Sequence, residues 1–145
     1  MKKLFLSALA IAALAVTPTM AEDVAITAIQ LPQEAQKFLS TNFANSKVIA
    51  ATHDKDVTDN DYTVLLSDGS KIEFNSAGKW ESVKNKSAQI PSALIPQQIQ
   101  NYVKKNYPGI GIEKIERKLY GFEVELRNDL ELKFDLKGKF LRVDD

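Results

Sequence analysis

Four aspartates close together, Asp54, Asp56, Asp59 and Asp61, form the densest group of side chains that could do chemistry in this chain. Carboxylates at that spacing suit Ca²⁺, which takes six to eight oxygen ligands. The loop is not an EF-hand. Counted from Asp54, the glycine position holds Asp59 and the closing glutamate position holds Leu65. The plainer reading is a charged hairpin tip, so no metal is expected, and these four residues are the candidate ligands should one bind. Other chemistries lack their parts. The chain has one histidine, His53, and no cysteine. That is too little for a zinc site and excludes thiolate chemistry and disulfides. There is no G-x-S-x-G elbow for a nucleophilic serine. Glu73, Glu81, Glu123, Glu125 and Glu131 alternate along strands, facing water rather than the pocket an acid–base pair needs. The expectation is a protein that is not an enzyme and carries no cofactor.

The strands that hold those glutamates occur in two similar copies. Tyr62 to Trp80 reads YTVLLSDGSKIEFNSAGKW, and Phe122 to Phe140 reads FEVELRNDLELKFDLKGKF, sixty residues on and without a gap. Period-two alternation marks strands with one buried and one wet face. A three-residue loop, Arg127-Asn128-Asp129, pairs Val124 with Leu132 and Phe122 with Phe134, keeping the apolar set on one side. Its counterpart is Ser67-Asp68-Gly69, whose glycine suits the left-handed third position of such a hairpin. The turns Ser76-Ala77-Gly78 and Leu136-Lys137-Gly138 then set Phe74 against Trp80 and Phe134 against Phe140. These repeated aromatics are read as core rather than as a ligand cage.

Each copy is preceded by a helical pattern. Leu31, Ala35, Phe38, Leu39 and Phe43 form one apolar stripe, and Ile95, Ile99, Tyr102, Val103 and Tyr107 form another. Pro32 and Pro96 open them. A further strand follows each helix, Lys47 to His53 and Ile112 to Lys118. The predicted fold is therefore α+β, a tandem duplication of a helix plus a four-stranded antiparallel meander with the helices on one face. Its parts are a lead-in segment 22–30, a first repeat 31–84, a joint 85–89 and a second repeat 90–145. Val24 and Ile26 could add an edge strand to the lead-in. A unit of about sixty residues buries too little surface to stand alone, so the copies should share a core or a continuous sheet.

Lys2 and Lys3, an apolar run from Leu4 to Val16 and a small residue at Ala21 read as a cleavable signal peptide, residues 1–21, cut after Ala21. Without it, seventeen lysines and arginines face nineteen acids. A net charge of −2 lacks the footprint of a nucleic-acid binder. No basic amphipathic stretch suggests stable membrane insertion after cleavage. The expected address is the periplasm or the exterior.

Taken together, the signal segment, L-P-x-x-x-x-x-F-L-x-x-N-F, Y-x-V-x-L-x-x-G-x-x-I-x-F and G-x-W, then I-P, N-Y-P and a second meander resemble the PepSY-like family, secreted bacterial proteins of β-lactamase-inhibitor-like character. The resemblance spans Leu31 to Val143. Its motifs are helix starts, turn glycines and core aromatics. It implies tandem helix-plus-strand repeats whose relatives bind protein through the sheet face and hairpin tips. It carries no catalytic residues to transfer. Asp129 departs from the family's glycine.

Two functions follow. The first is an exported, non-catalytic module binding an unidentified extracytoplasmic protein, as an inhibitor or modulator of an enzyme. Its face would be Thr63, Leu65, Lys71, Glu73, Lys79, Glu81, Glu123, Glu125, Arg127, Glu131, Lys133 and Lys139. The second is small-ligand or Ca²⁺ sensing, with a closed cavity between helix and sheet lined by Tyr102, Tyr107 or Trp80.

Overall fold

The computed structural model describes residues 23–55 and 60–145. The expected signal segment and two of the candidate calcium ligands, Asp56 and Asp59, lie outside the described residues. Nine strands follow one another: β1 (Asp23–Ile26), β2 (Val48–Asp54), β3 (Tyr62–Leu66), β4 (Lys71–Phe74), β5 (Trp80–Lys84), β6 (Ile112–Arg117), β7 (Gly121–Leu126), β8 (Glu131–Asp135) and β9 (Phe140–Asp144). They make a single antiparallel sheet in chain order. Helix α1 (Gln33–Asn42) and helix α2 (Gln97–Asn106) have ten residues each.

This corrects the expected fold class. The molecule is mainly β, one nine-stranded sheet with two short helices, and not an α+β tandem of helix-plus-four-strand meanders. Two pairings build the single sheet, the second of them the continuous-sheet option expected for the copies. β1 has no counterpart in the duplicated pattern, yet it pairs with β2 through Asp23–Asp54, Val24–His53, Ala25–Thr52 and Ile26–Ala51. β5 pairs with β6 through Ser82–Glu116, Val83–Ile115 and Lys84–Lys114, so the sheet runs unbroken from one half of the chain into the other.

The register within the hairpins is the one the alternation demands. Val124 faces Leu132 and Phe122 faces Phe134; Val64 faces Ile72 and Tyr62 faces Phe74. Phe74 meets Trp80 and Phe134 meets Phe140, each beside a one-residue register shift. Asp129 takes the left-handed turn position at φ 71°. A short polar side chain tolerates that backbone better than a branched one. Gly78, at φ 85°, has a second reason to be glycine: a Cβ there would sit 2.8 Å from the Cβ of Pro32 and 3.0 Å from the backbone nitrogen of Ala35. The tip of the β4–β5 hairpin thus rests on the first turn of α1.

Carrying the register across all nine strands produces one apolar row: Ile26, Ala51, Val64, Ile72, Val83, Ile115, Val124, Leu132 and Val143. From Ala51 to Leu132 no member is more than 4% exposed. Ala35 and Leu39 of α1 and Ile99 and Val103 of α2 belong to the same buried cluster. The aromatic layer lies beside it. Phe38 meets Phe74 edge-on at 5.5 Å, and Tyr102 meets Phe134 edge-on at 5.5 Å while stacking on Phe140 at 4.5 Å. Burying one such side chain contributes about 1.5–3 kcal/mol, so this row and its aromatics are the main source of stability in a chain without cysteine.

Equivalent polar devices fix the helix entrances. The Gln36 amide nitrogen donates to the carbonyls of Ile29 and Leu31, and that of Gln100 donates to the carbonyls of Ser92 and Ile95. Each ties a short 3₁₀ turn (Ala28–Gln30 or Ser92–Leu94) to the helix that follows.

Candidate protein-binding face

With one side of the sheet under the helices, the other side carries the alternate residues. Its first row runs Thr63, Glu73, Ser82, Glu116, Glu123, Lys133 and Arg142 from β3 to β9. Its second runs Leu65, Lys71, Lys84, Lys114, Glu125, Glu131 and Asp144 over the same strands. The second row is segregated by charge. Three lysines stand side by side on β4, β5 and β6, and three acids stand side by side on β7, β8 and β9. Neighbouring strands are about 4.8 Å apart, so each block is about 10 Å wide.

Eight of the twelve residues expected on this face lie in these rows: Thr63, Leu65, Lys71, Glu73, Glu123, Glu125, Glu131 and Lys133. The other four do other things. Lys79 lines a hollow on the helix side, beside Trp80. Lys139 lies in the β8–β9 turn, its N–H donating to Asp135 at 2.9 Å. Glu81 falls in the bulge of β5, which hands the cross-strand place opposite Glu73 to Ser82. Arg127 donates from its guanidinium to the carbonyls of Lys86 and Ala88, strapping the β7–β8 hairpin to the segment that follows β5. Lys84, Lys114, Glu116, Arg142 and Asp144 belong to the face and were not expected there. Their signal was present: Lys114 and Glu116 flank the buried Ile115.

Lys133 is the best-held charge on the face. Its ammonium lies 3.0 Å from Glu123, 3.6 Å from Asp144 and 3.7 Å from Glu131. The Tyr120 hydroxyl donates to the same Glu123 oxygen at 2.6 Å. Burial pushes the Glu123 carboxyl up, but the hydrogen bonds from Tyr120 and Lys133 outweigh it and hold the group below the usual carboxylate range. Burial, then the bond to Glu123, raises Tyr120. The bond to Glu123 raises Lys133 against its own desolvation.

These shifts have a defined consequence for stability. A carboxyl whose folded pKa is depressed stabilises the fold above its unfolded pKa, near 4.5 here, and loses that contribution as pH falls through the folded value. Wild-type stability should therefore drop on acidification below pH 4.5, and Glu123→Gln should flatten that part of the profile. Urea denaturation from pH 2 to 7 reads both.

The segment after β5 is a second organised polar region. Asn85 is 1% exposed. Its Nδ2 donates to the Asp68 carbonyl at 3.1 Å and to Ser70 Oγ at 3.0 Å, and its Oδ1 accepts from the backbone of Ser87 and Ala88 at 2.9 and 2.8 Å.

The other candidates resolve differently. His53 stacks on Tyr62 at 4.1 Å and bonds Asn60 at 2.6 Å. Asp54 and Asp61 bracket the acidic loop, where the Asp54 N–H donates to the Asp61 carbonyl at 2.8 Å. Among the described residues, no group of three His, Cys, Asp or Glu is arranged to hold a metal. Tyr102 packs against Phe134 and Phe140, and Trp80 lines a hollow of about 230 Å³ that opens to solvent. Among the described residues no helix is long and apolar enough to cross a membrane.

Known proteins share this architecture. A protein from Bacteroides thetaiotaomicron described as a "putative calcium-regulated periplasmic protein" superposes with a TM-score of 0.80 at 42% identity, over 85% of this chain and 97% of that one. A "putative periplasmic protein from DUF2874 family" of Bacteroides vulgatus matches at 39% identity and TM-score 0.78, over 86% and 98% of the two chains. A "putative periplasmic protein of unknown function" from the same species matches at 39% and 0.80, over 86% and 100%. No curated protein matches. Residues 60–142 match the family model described as "Putative beta-lactamase-inhibitor-like, PepSY-like", and with these relatives they show that the chain belongs to the PepSY-like family.

Proposed function

We propose that this is a periplasmic, non-catalytic module that binds another protein through the open face of its sheet, as an inhibitor or modulator of an extracytoplasmic enzyme. The observation that carries the reading is the segregation of charge in the row from Lys71 to Asp144. Like charges directly opposite on neighbouring strands are destabilising, by up to about 1 kcal/mol per pair. A sheet selected only for solubility gains by interleaving signs. A block of three cations beside a block of three anions instead gives the row a dipolar bias, even with Lys84 and Lys114 each beside an acid, Glu113 at 4.0 Å and Glu116 at 3.6 Å, and such a bias orients a complementary partner during encounter. The periplasmic address is supported by the described relatives and by the signal-like first 21 residues. The absence of cysteine and the stacking of the sole histidine on Tyr62 favour binding over catalysis.

The test is capture from periplasmic extract at low salt. Wild type should retain a partner that Lys71→Glu/Lys84→Glu/Lys114→Glu loses and that high salt releases. Lys133 is left intact because its reversal would break the ion cluster and confound the result. Equal capture by both proteins would reject the proposal.

Calcium is a second reading, favoured by one specific observation, the calcium-regulated description of the 42%-identical relative. The described residues assemble no site for the ion, so the reading rests on the loop from Asp54 to Asp61. If it holds, millimolar Ca²⁺ should raise the melting temperature by several degrees and chelator should reverse the rise. An unchanged melting temperature rejects it.

A further inference from the structure

On the helix side of the sheet, two hollows meet at Trp80 and Arg117. One, about 230 Å³, runs along α1 beside Phe38. The other, about 340 Å³, lies between Leu94, Phe122 and Leu136. Leu136 is 67% exposed, so an apolar wall stands open to solvent.

The charges around this groove are unbalanced. Lys37, Lys79, Arg117 and Lys118 line it, against one carboxylate, Glu34. Lys118 is paired with Glu116 at 3.4 Å. Among the described residues, the other three cations have no carboxylate within ion-pair distance, in contrast to Lys133 with its three acids. The excess sits on a chain whose mature part is net negative. Arg117 is also pre-oriented: its guanidinium carbon lies 4.9 Å from the centre of the Trp80 ring. Stacking occupies the face of the guanidinium and leaves its N–H edge free to fork a carboxylate.

We infer that this groove binds an extended acidic peptide segment in which an apolar side chain is flanked by carboxylates. The apolar side chain enters the hollow beside Phe122 and Leu136. One carboxylate takes the edge of Arg117, and others meet Lys37 and Lys79. The site is on the opposite side of the sheet from the charged rows, so it stands independently of the proposed function.

Trp80 is the only tryptophan in the chain, so its emission reports on this groove alone. The probe is acetyl-Glu-Leu-Asp-Glu-Asp-amide, titrated at low salt. A saturable change in Trp80 emission is expected. Affinity should fall at least about tenfold in Arg117→Gln and in Lys37→Gln/Lys79→Gln. All three altered residues are at the surface, so melting temperatures should stay near wild type. The variant reversed at Lys71, Lys84 and Lys114 should bind the peptide as wild type does, which separates this site from the other face. The inference is overturned by a response that does not saturate at millimolar peptide. Equal responses from the Gln/Asn version of the peptide or from inorganic phosphate would overturn it too, as would full affinity in both groove variants.

Discussion

Replacing Phe134 with alanine should destabilise the protein by about 4 kcal/mol, the middle of the range for a buried aromatic. Phe134 is fully buried. It faces Phe122 on β7 and Phe140 on β9, and Tyr102 of α2 meets its ring edge-on at 5.5 Å. Removing the ring costs its transfer from water and leaves a cavity that a nine-stranded sheet cannot close by bending. It also removes one of the two rings that set Tyr102 in place, Phe140 being the other, and so loosens α2. Urea denaturation would show a lower midpoint with little change in slope. Phe134→Leu, which keeps most of the volume, should cost appreciably less. A loss below about 1 kcal/mol for the alanine variant would mean that this aromatic layer does not hold α2 to the sheet.

Asn85→Ala comes next, with an expected cost of about 2–4 kcal/mol. Here the loss comes from what is left behind. The buried hydroxyl of Ser70, 2% exposed, would lose its amide partner, and the N–H groups of Ser87 and Ala88 would lose their acceptor. Each polar group stranded away from water costs about 1–3 kcal/mol, though the exposed members of this set can recruit solvent. Because Asn85 ties the β3–β4 turn to the segment leaving β5, the variant should also become sensitive to protease between residues 85 and 89. Limited proteolysis beside urea denaturation checks both. Stability within about 0.5 kcal/mol of wild type would show that water replaces the side chain.

The contrast between these residues shows what could be read in advance. Phe134 was legible because alternation in a strand reports burial directly, and the three-residue loop ending at Asp129 allowed one register that kept Val124, Leu132, Phe122 and Phe134 on the same side. Asn85 was not legible. It stands in a polar run that reads as a linker, and the Asp68 carbonyl it bonds lies seventeen residues away. β1 was half visible as the pair Val24 and Ile26, but its pairing with β2 needed the intervening α1 to be placed. The fold class differs from the expectation for a related reason. The duplicated pattern allows a continuous sheet as one option, but the β5–β6 pairing that realises it joins Val83 to Ile115, positions with no common motif.

The charged face divides in the same way. Single strands show alternating signs, as in Glu131-Leu132-Lys133, and look like ordinary wet surface. The block of Lys71, Lys84 and Lys114 exists only once β4, β5 and β6 are laid side by side, and the β5–β6 step again carries it. Parity alone places Arg127 and Lys79 on the face. Parity fails at strand ends, where a long side chain can reach back to a carbonyl or a turn can redirect it.

The central claim, that the open sheet face is the protein-binding surface, is most directly tested by lysine acetylation of the chain in periplasmic extract, read by mass spectrometry. Lys71, Lys84 and Lys114 should become protected relative to the isolated protein, while Lys104 and Lys105 on the exposed side of α2 keep their reactivity. Unchanged reactivity at the three sheet lysines, or protection confined to Lys104 and Lys105, would contradict it.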